Sequence, residues 1–435
     1  MIKLSTILFG LFVSLLVASF LSGFSPVLGL ADEMLLLLSV AVLLSSPILN
    51  GTVSKFTLIL IVYVAYSFIN SAISPFSPNL LYAFLQSLIH AKLFIVSFAA
   101  IKLYQSAAVG GLIVKRLFSV FLVLFAVGFI LNYILGERWN YFFTNEAVQY
   151  RYGFIRPSGI FGHYAPNGYF FSLILVTLFM LRTKTLVIDK KSQIRKFYIL
   201  VLVDFLAAFP LTVRKGLFMI IPYGFYILTL LSPVRRALFA ITASLFLIIF
   251  TTAVSKTTMF EDTVSNITQF FSDDHAYLRG LIVFHGFSLF AEFFPFGVGN
   301  GLYGTYFSNT NYSVYEYVGL NPAIFIRDNG ALSAIYDSGI AAIVAEIGFI
   351  GCLLYAMLIV SYIRFNRRLL DTHNFRIFKI LTTFAIILSI TEPVWQNGFF
   401  TTFFTVCILY IYTKNNLYRV NGTWTGCPTN SKNKV

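Results

Sequence analysis

Charge is what this chain has least of. Only 11% of its 435 residues are Asp, Glu, Lys or Arg, and 58% are hydrophobic, with a mean hydropathy of +0.82. Such a composition cannot coat a soluble globule with polar side chains, so it implies an integral membrane protein. Cysteine is almost missing: Cys352, Cys407 and Cys427 are scattered without CxxC or CxxH spacing, which argues against a disulfide framework or a zinc site. No sizeable soluble domain is left over, no internal repeat is evident, and the inverted repeats of transporters are not seen. Four N-x-S/T triplets, at Asn50, Asn266, Asn311 and Asn421, stand without other signs of a secreted eukaryotic protein and are read as chance.

What the chain does have is apolar runs of helical length. Spans of about 17–25 apolar residues are expected near 5–29, 33–49, 56–73, 80–101, 117–136, 164–182, 197–211, 217–231, 237–254, 339–363, 377–391 and 396–413. The expected fold is therefore an all-α polytopic membrane domain over 1–435, with about twelve spans and a range of ten to thirteen. Met1 to Leu30 reads as a first span and not as a cleaved signal.

Orientation follows from basic residues in short loops. With the N-terminus inside, 22 of the 31 Lys and Arg residues fall on the cytoplasmic side, in clusters such as 183–196 and 364–376 and in a polar tail over 414–435. Both termini are then cytoplasmic. The net charge of +14 is mostly a topology signal, and no nucleic-acid partner is expected.

Eight basic residues are left on the outer side: Arg138, Arg151, Arg156, Arg214, Lys215, Lys256, Arg279 and Arg327. They lie in a loop at 137–163, a short turn at 210–216 and a long loop at 255–338. Arg156 precedes Pro157 and Gly159, an extended and stiff setting for a guanidinium. Converging arginines would clamp a diphosphate, because the guanidinium fork matches phosphate oxygens bidentately; separate snorkelling to lipid headgroups is the competing reading. Within the long loop, Leu278, Ile282, Leu289 and Phe293 have helix spacing, and a helix at the membrane surface is expected there. The glycines that follow, Gly297, Gly299, Gly301 and Gly304, lack the strand and helix of a nucleotide loop and read as a flexible loop.

Acids inside apolar helices are functional candidates by default. Glu346 lies within the tenth span, with Asp328 and Asp337 just ahead of it, and Glu392 closes a later span. The partner of Glu346 is expected to be an arginine, a backbone amide in a broken helix, or a structural ion-pair partner. Lys92 and Glu346 are the main charges placed inside spans.

Taken in order, four segments resemble the bacterial O-antigen ligase and O-antigen polymerase superfamily. They are R-x-x-G-x-F-x-H (Arg156, Gly159, Phe161, His163), T-x-R (Thr212, Arg214), an arginine before P-x-G-x-G (Arg279, Pro295, Gly297, Gly299), and a polar pair before E-x-G-x-x-G (Asp337, Ser338, Glu346, Gly348, Gly351). The resemblance covers roughly residues 150–355. It implies a GT-C type, metal-independent glycosyltransferase of the bacterial inner membrane, with no cofactor and with an active site facing the periplasm. Undecaprenyl-diphosphate-linked oligosaccharides would be donor and acceptor, membrane lipid the surroundings, and a chain-length regulator an optional further partner.

On that resemblance Arg156, Arg214 and Arg279, with Arg327 beside them, would bind the diphosphate and stabilise its developing charge. His163, Asp337 and Asp328 are the candidates for the base that accepts the acceptor hydroxyl's proton, with a purely hydrogen-bonding role for His163 equally open. The ligase branch has a histidine–asparagine pair where this chain has Asp337 and Ser338, which favours the repeat-unit polymerase branch, called Wzy. A ligase joining glycan to lipid A core, or a flippase of the same lipid-linked unit, are the alternatives.

Overall fold

In lipid no water is at hand to pair backbone N–H and C=O groups, so apolar stretches close their hydrogen bonds internally as helices. The computed structural model follows this rule almost throughout. It describes residues 4–22, 25–50, 53–107, 110–144, 150–151, 154–161, 165–181, 195, 198–199, 202, 219–254, 278–321 and 338–420. The helices are α1 (Leu4–Phe20), α2 (Pro26–Asn50), α3 (Lys55–Ala72), α4 (Leu80–His90), α5 (Lys92–Ser106), α6 (Gly110–Leu135), α7 (Glu137–Thr144), α8 (Ala165–Leu181), α9 (Ile220–Leu230), α10 (Pro233–Val254), α11 (Leu278–Glu292), α12 (Ser313–Tyr317), α13 (Gly339–Leu369), α14 (Thr372–Leu388) and α15 (Gly398–Val420). A two-residue antiparallel ladder, β1 (Tyr150–Arg151) with β2 (Phe154–Ile155), lies between α7 and α8.

Among the described residues four helices are long and apolar enough to cross a membrane: Leu28–Ser45 within α2, Lys55–Ala72, Gly110–Leu135 and Gly339–Leu369. A fifth crossing results if α4 and α5 count as one bent span. Large apolar side chains on their outer faces are open, among them Leu37, Ile61, Val123 and Leu353, as suits helices solvated by lipid rather than by water.

Several helix ends carry side chains suited to them. Ser54, Asn79, Ser338 and Asp371 each accept a backbone N–H at the start of α3, α4, α13 and α14, the usual capping chemistry. Pro26 occupies the first position of α2, where its missing N–H costs nothing. That start corrects the expected span boundaries: α1 stops at Phe20 instead of running to 29, and residues 26–32, expected in the first span or in the link after it, belong to α2. The segment expected at 197–211 lies outside the described residues apart from isolated positions.

The centre of the bundle is α5, which touches α1, α2, α4, α6, α13 and α15 and is buried from Lys92 through Ile101. A second centre is aromatic. Phe20 stacks on Phe121 at 3.9 Å, and Phe161, Phe170 and Phe403 meet Phe20 edge-on, arrangements that add to the area each ring buries.

The single span expected at 80–101 is instead broken, with α4 and α5 inclined by 61° around Ala91. No proline or glycine stands at the bend, and neighbouring elements pair its backbone. Tyr355 Oη donates to the His90 carbonyl at 2.7 Å, and Leu93 N donates to the Trp395 carbonyl at 3.3 Å. Backbone groups lost to the helix are thus paired by neighbours, the condition on which a break is tolerated.

Candidate functional site

The second break in a long helix builds the site. Within α13, Gly348 has φ 59° and ψ −166°, a conformation open essentially to glycine. Several of the freed groups find partners outside the helix. Val298 N donates to Ala345 O at 2.9 Å, Gly299 N to Glu346 O at 3.0 Å, and Ile350 N to Pro295 O at 3.2 Å. Tyr66 Oη donates to Ile347 O at 3.0 Å and Asn70 Nδ2 to Glu346 O at 3.2 Å.

The partner strip is the glycine-rich segment 295–304, which corrects its reading as a flexible loop. Gly297, Gly299, Gly301 and Gly304 all have positive φ, and the strip from Gly297 to Thr305 is buried. At Gly297 a Cβ would stand 2.5 Å from Gly348 N. These glycines serve close backbone approach, which spacing alone does not distinguish from flexibility.

Glu346 fastens the strip. Its carboxylate is wholly buried, and Oε1 accepts from Leu302 N (2.8 Å), Tyr303 N (2.9 Å) and Thr305 Oγ1 (2.8 Å). Oε2 lies 2.7 Å from His90 Nε2, also buried. All four partners donate, matching an acceptor-only carboxylate. Gln396 Nε2 lies 3.2 Å from His90 Nδ1, a pairing that puts the ring proton on Nε2, facing Glu346. Beyond Gln396, its carbonyl accepts from Lys92 Nζ at 3.3 Å, and Lys92 is ion-paired with Asp32. A polar chain thus runs from α2 through α5 and α4 to α13.

Two tyrosines wall the strip. Tyr303 Oη donates to Ile282 O at 2.8 Å, and Tyr315 Oη accepts from Gly304 N at 2.8 Å. Burial pushes both phenols upward from their ordinary range, so they stay protonated as hydrogen-bonding hydroxyls.

The segment 156–161 is held with similar care. Gly159, at φ +61°, donates its N–H to Asn132 Oδ1 at 2.9 Å and accepts from Trp139 Nε1 at 2.7 Å. Ser158 Oγ donates to Asn140 Oδ1 at 2.7 Å, while Asn167 Nδ2 binds the Pro157 carbonyl. Helices α6, α7 and α8 therefore grip the turn that follows Arg156, which is itself half-buried.

No family model matches this chain, and a search of the curated proteins finds no match.

Of the residues singled out from the sequence, Arg156 directly follows β2 and Arg279 stands in the first turn of α11. The side chain of Arg279 lies outside the described structure, as do His163, Arg214, Arg327, Asp328 and Asp337. Ser338, next to Asp337, caps α13: its Oγ accepts from Ala341 N at 3.3 Å and donates to Ile390 O at 3.1 Å. The helix expected around Leu278 to Phe293 is described from Leu278 to Glu292, with Ile282 and Leu289 buried against a second core that includes Val298, Tyr303 and Tyr315.

Sequence reasoning found Glu346 and Lys92 but passed over His90, Gln396, Asp32 and Thr305. A histidine two residues before a lysine within an apolar run, His90-Ala91-Lys92, was the available signal.

Proposed function

We propose that this protein is a polytopic glycosyltransferase of the GT-C kind, with about twelve spans, that polymerises lipid-linked repeat units in O-antigen synthesis. It would move a growing glycan from one undecaprenyl diphosphate onto a newly flipped unit at the outer face of the bacterial inner membrane. The observation that carries this reading is the union of the P-x-G-x-G and E-x-G-x-x-G segments. Pro295, Gly297 and Gly299 dock directly on the break at Glu346 and Gly348, and Gly351 allows the close approach of Tyr66. Two stretches chosen for their resemblance, some 45 residues apart, thereby form one buried unit. The fixed turn at 157–161 supports a positioned Arg156 in the same sense.

In this reading Arg156, Arg214, Arg279 and Arg327 hold the leaving diphosphate. His163, Asp337 or Asp328 takes the acceptor proton. Glu346 is a positioning residue that acts through the strip it fastens. Single alanine replacements of Arg156, Arg214 and Arg279 test the clamp: each is expected to shorten the surface-glycan ladder, and an unchanged distribution of chain lengths in all three removes it.

A further inference from the structure

Asn132 is fully buried in the apolar second half of α6, VFLVLFAVGFILNYIL, where a polar side chain is costly and points to a role. Its Oδ1 accepts from Gly159 N at 2.9 Å. Among the described residues its Nδ2 has no hydrogen-bond partner, so the amide is a poor choice as a source of stability alone. What it does achieve is placement. One turn earlier, Gly128 opens the helix surface: a Cβ there would stand 2.4 Å from Ile160 Cγ2 and 3.1 Å from Ile160 N. Four positions apart, Gly128 and Asn132 share one helix face and form a notch that admits Ile160 and ties Gly159.

The notch completes a set of restraints on both sides of Arg156. Before it, Ile155 is paired with Tyr150 across the β1–β2 ladder. After it, Asn167 holds the Pro157 carbonyl and Asn140 accepts from Ser158 Oγ. Phe161, 3% exposed, is set among the rings of Phe20, Phe170 and Phe403. Gly159 is the pivot, because its N–H is taken by Asn132 of α6 and its C=O by Trp139 of α7. A shift of the turn along α6 breaks both bonds and drives Ile160 into the wall of the notch. Pro157, whose φ is fixed by its ring, passes the constraint back to Arg156.

We propose that Asn132 is a positioning residue for Arg156, fixing through Gly159 the backbone from which the guanidinium reaches a diphosphate. The inference rests on the reading of Arg156 as a diphosphate contact. A guanidinium fork binds phosphate oxygens bidentately and is therefore sensitive to direction. A misplacement on the order of 1 Å is enough to lose much of such an interaction. Asn132 itself is enclosed and acts only through the turn.

The test measures diphosphate affinity of the full-length protein in phosphatidylcholine nanodiscs, with geranyl diphosphate as the probe and isothermal titration as the readout. Arg156→Ala should weaken binding about tenfold, the loss of one charge-assisted pair. Asn132→Leu, similar in volume but without the acceptor, should weaken it about three- to tenfold, while Asn132→Asp, which keeps an oxygen for Gly159 N, should stay within about threefold of the parent. Joined to Arg156→Ala, Asn132→Leu should add nothing, because its effect runs through the arginine. Trp139→Phe removes the other bond to Gly159 and should repeat this pattern, which keeps the test open if Asn132→Leu does not fold. Parent-like affinity in these variants, or losses that add to that of Arg156→Ala, overturns the inference and leaves the clamp standing. Absence of binding by the parent, or binding indifferent to Arg156→Ala, removes the clamp and the inference together.

Discussion

Glu346 Oε2 lies 2.7 Å from His90 Nε2, across 256 residues of chain, and the contact joins the helix break at Ala91 to the one at Gly348. His90 ends α4 where the chain bends into α5, and Glu346 sits two residues before the Gly348 break in α13. The backbone groups exposed at each break are paired by neighbouring elements. Tyr355, seven residues beyond Gly348, holds the His90 carbonyl, and the glycine strip holds the carbonyls of 345 and 346. The two bends are thus tied together by the Glu346–His90 contact and by Tyr355.

Removing that carboxylate should be severe. Glu346→Ala strands His90, Thr305 and two backbone amides, and loss of one partner of a buried, hydrogen-bonded pair costs about 3–5 kcal/mol. Glu346→Gln keeps an oxygen for the three donors on Oε1 and should cost about 1–2 kcal/mol. Thermal unfolding in detergent should rank the parent above Glu346→Gln and both above Glu346→Ala. Equal midpoints for the two variants would contradict the bonding pattern.

Glycines at the break should be irreplaceable, while others are free. A Cβ at Gly348 would collide with the backbone of Phe296 and Gly297, at a φ of 59° that alanine resists, whereas Gly10 in α1 has nothing within 4 Å. Gly348→Ala should abolish monodisperse protein on size-exclusion chromatography. Gly10→Ala should preserve it and add up to about 1 kcal/mol through helix propensity.

How much of this was legible in the sequence depends on the range of the interaction. Helices declared themselves through apolar runs, and Glu346 through its charge in such a run, because both are local signals. His90 was hidden since its meaning lies in a partner 256 residues away. The bend at Ala91 has no proline or glycine to mark it, and the groups that pair its backbone, Tyr355 and Trp395, lie far along the chain. The glycine strip looked flexible because composition reports permitted backbone freedom and not the packing that uses it.

Lys92 and Asp32 should show strong coupling. Both side chains are largely buried, with 6% and 18% exposure, so either single change leaves a charge without its partner and costs about 3–5 kcal/mol. Lys92→Met combined with Asp32→Asn should recover much of that loss. A double-mutant cycle read by thermal unfolding measures it, and simple additivity would mean the pair does not interact.

For the proposed clamp, charge alone should not suffice. Arg156→Lys retains the cation but loses the planar fork, so its glycan ladder should resemble that of Arg156→Ala more than the parent's. Full activity of the lysine variant, judged from ladder length, would reduce Arg156 to a general positive charge.

The most direct measurement is the surface-glycan profile of a null strain, resolved by gel electrophoresis. A polymerase leaves lipid A core carrying a single repeat unit, with the ladder restored by the parent gene. Bare core would identify a ligase, accumulation of units on the cytoplasmic leaflet would identify a flippase, and an unaltered ladder would contradict any role in polymerising the glycan.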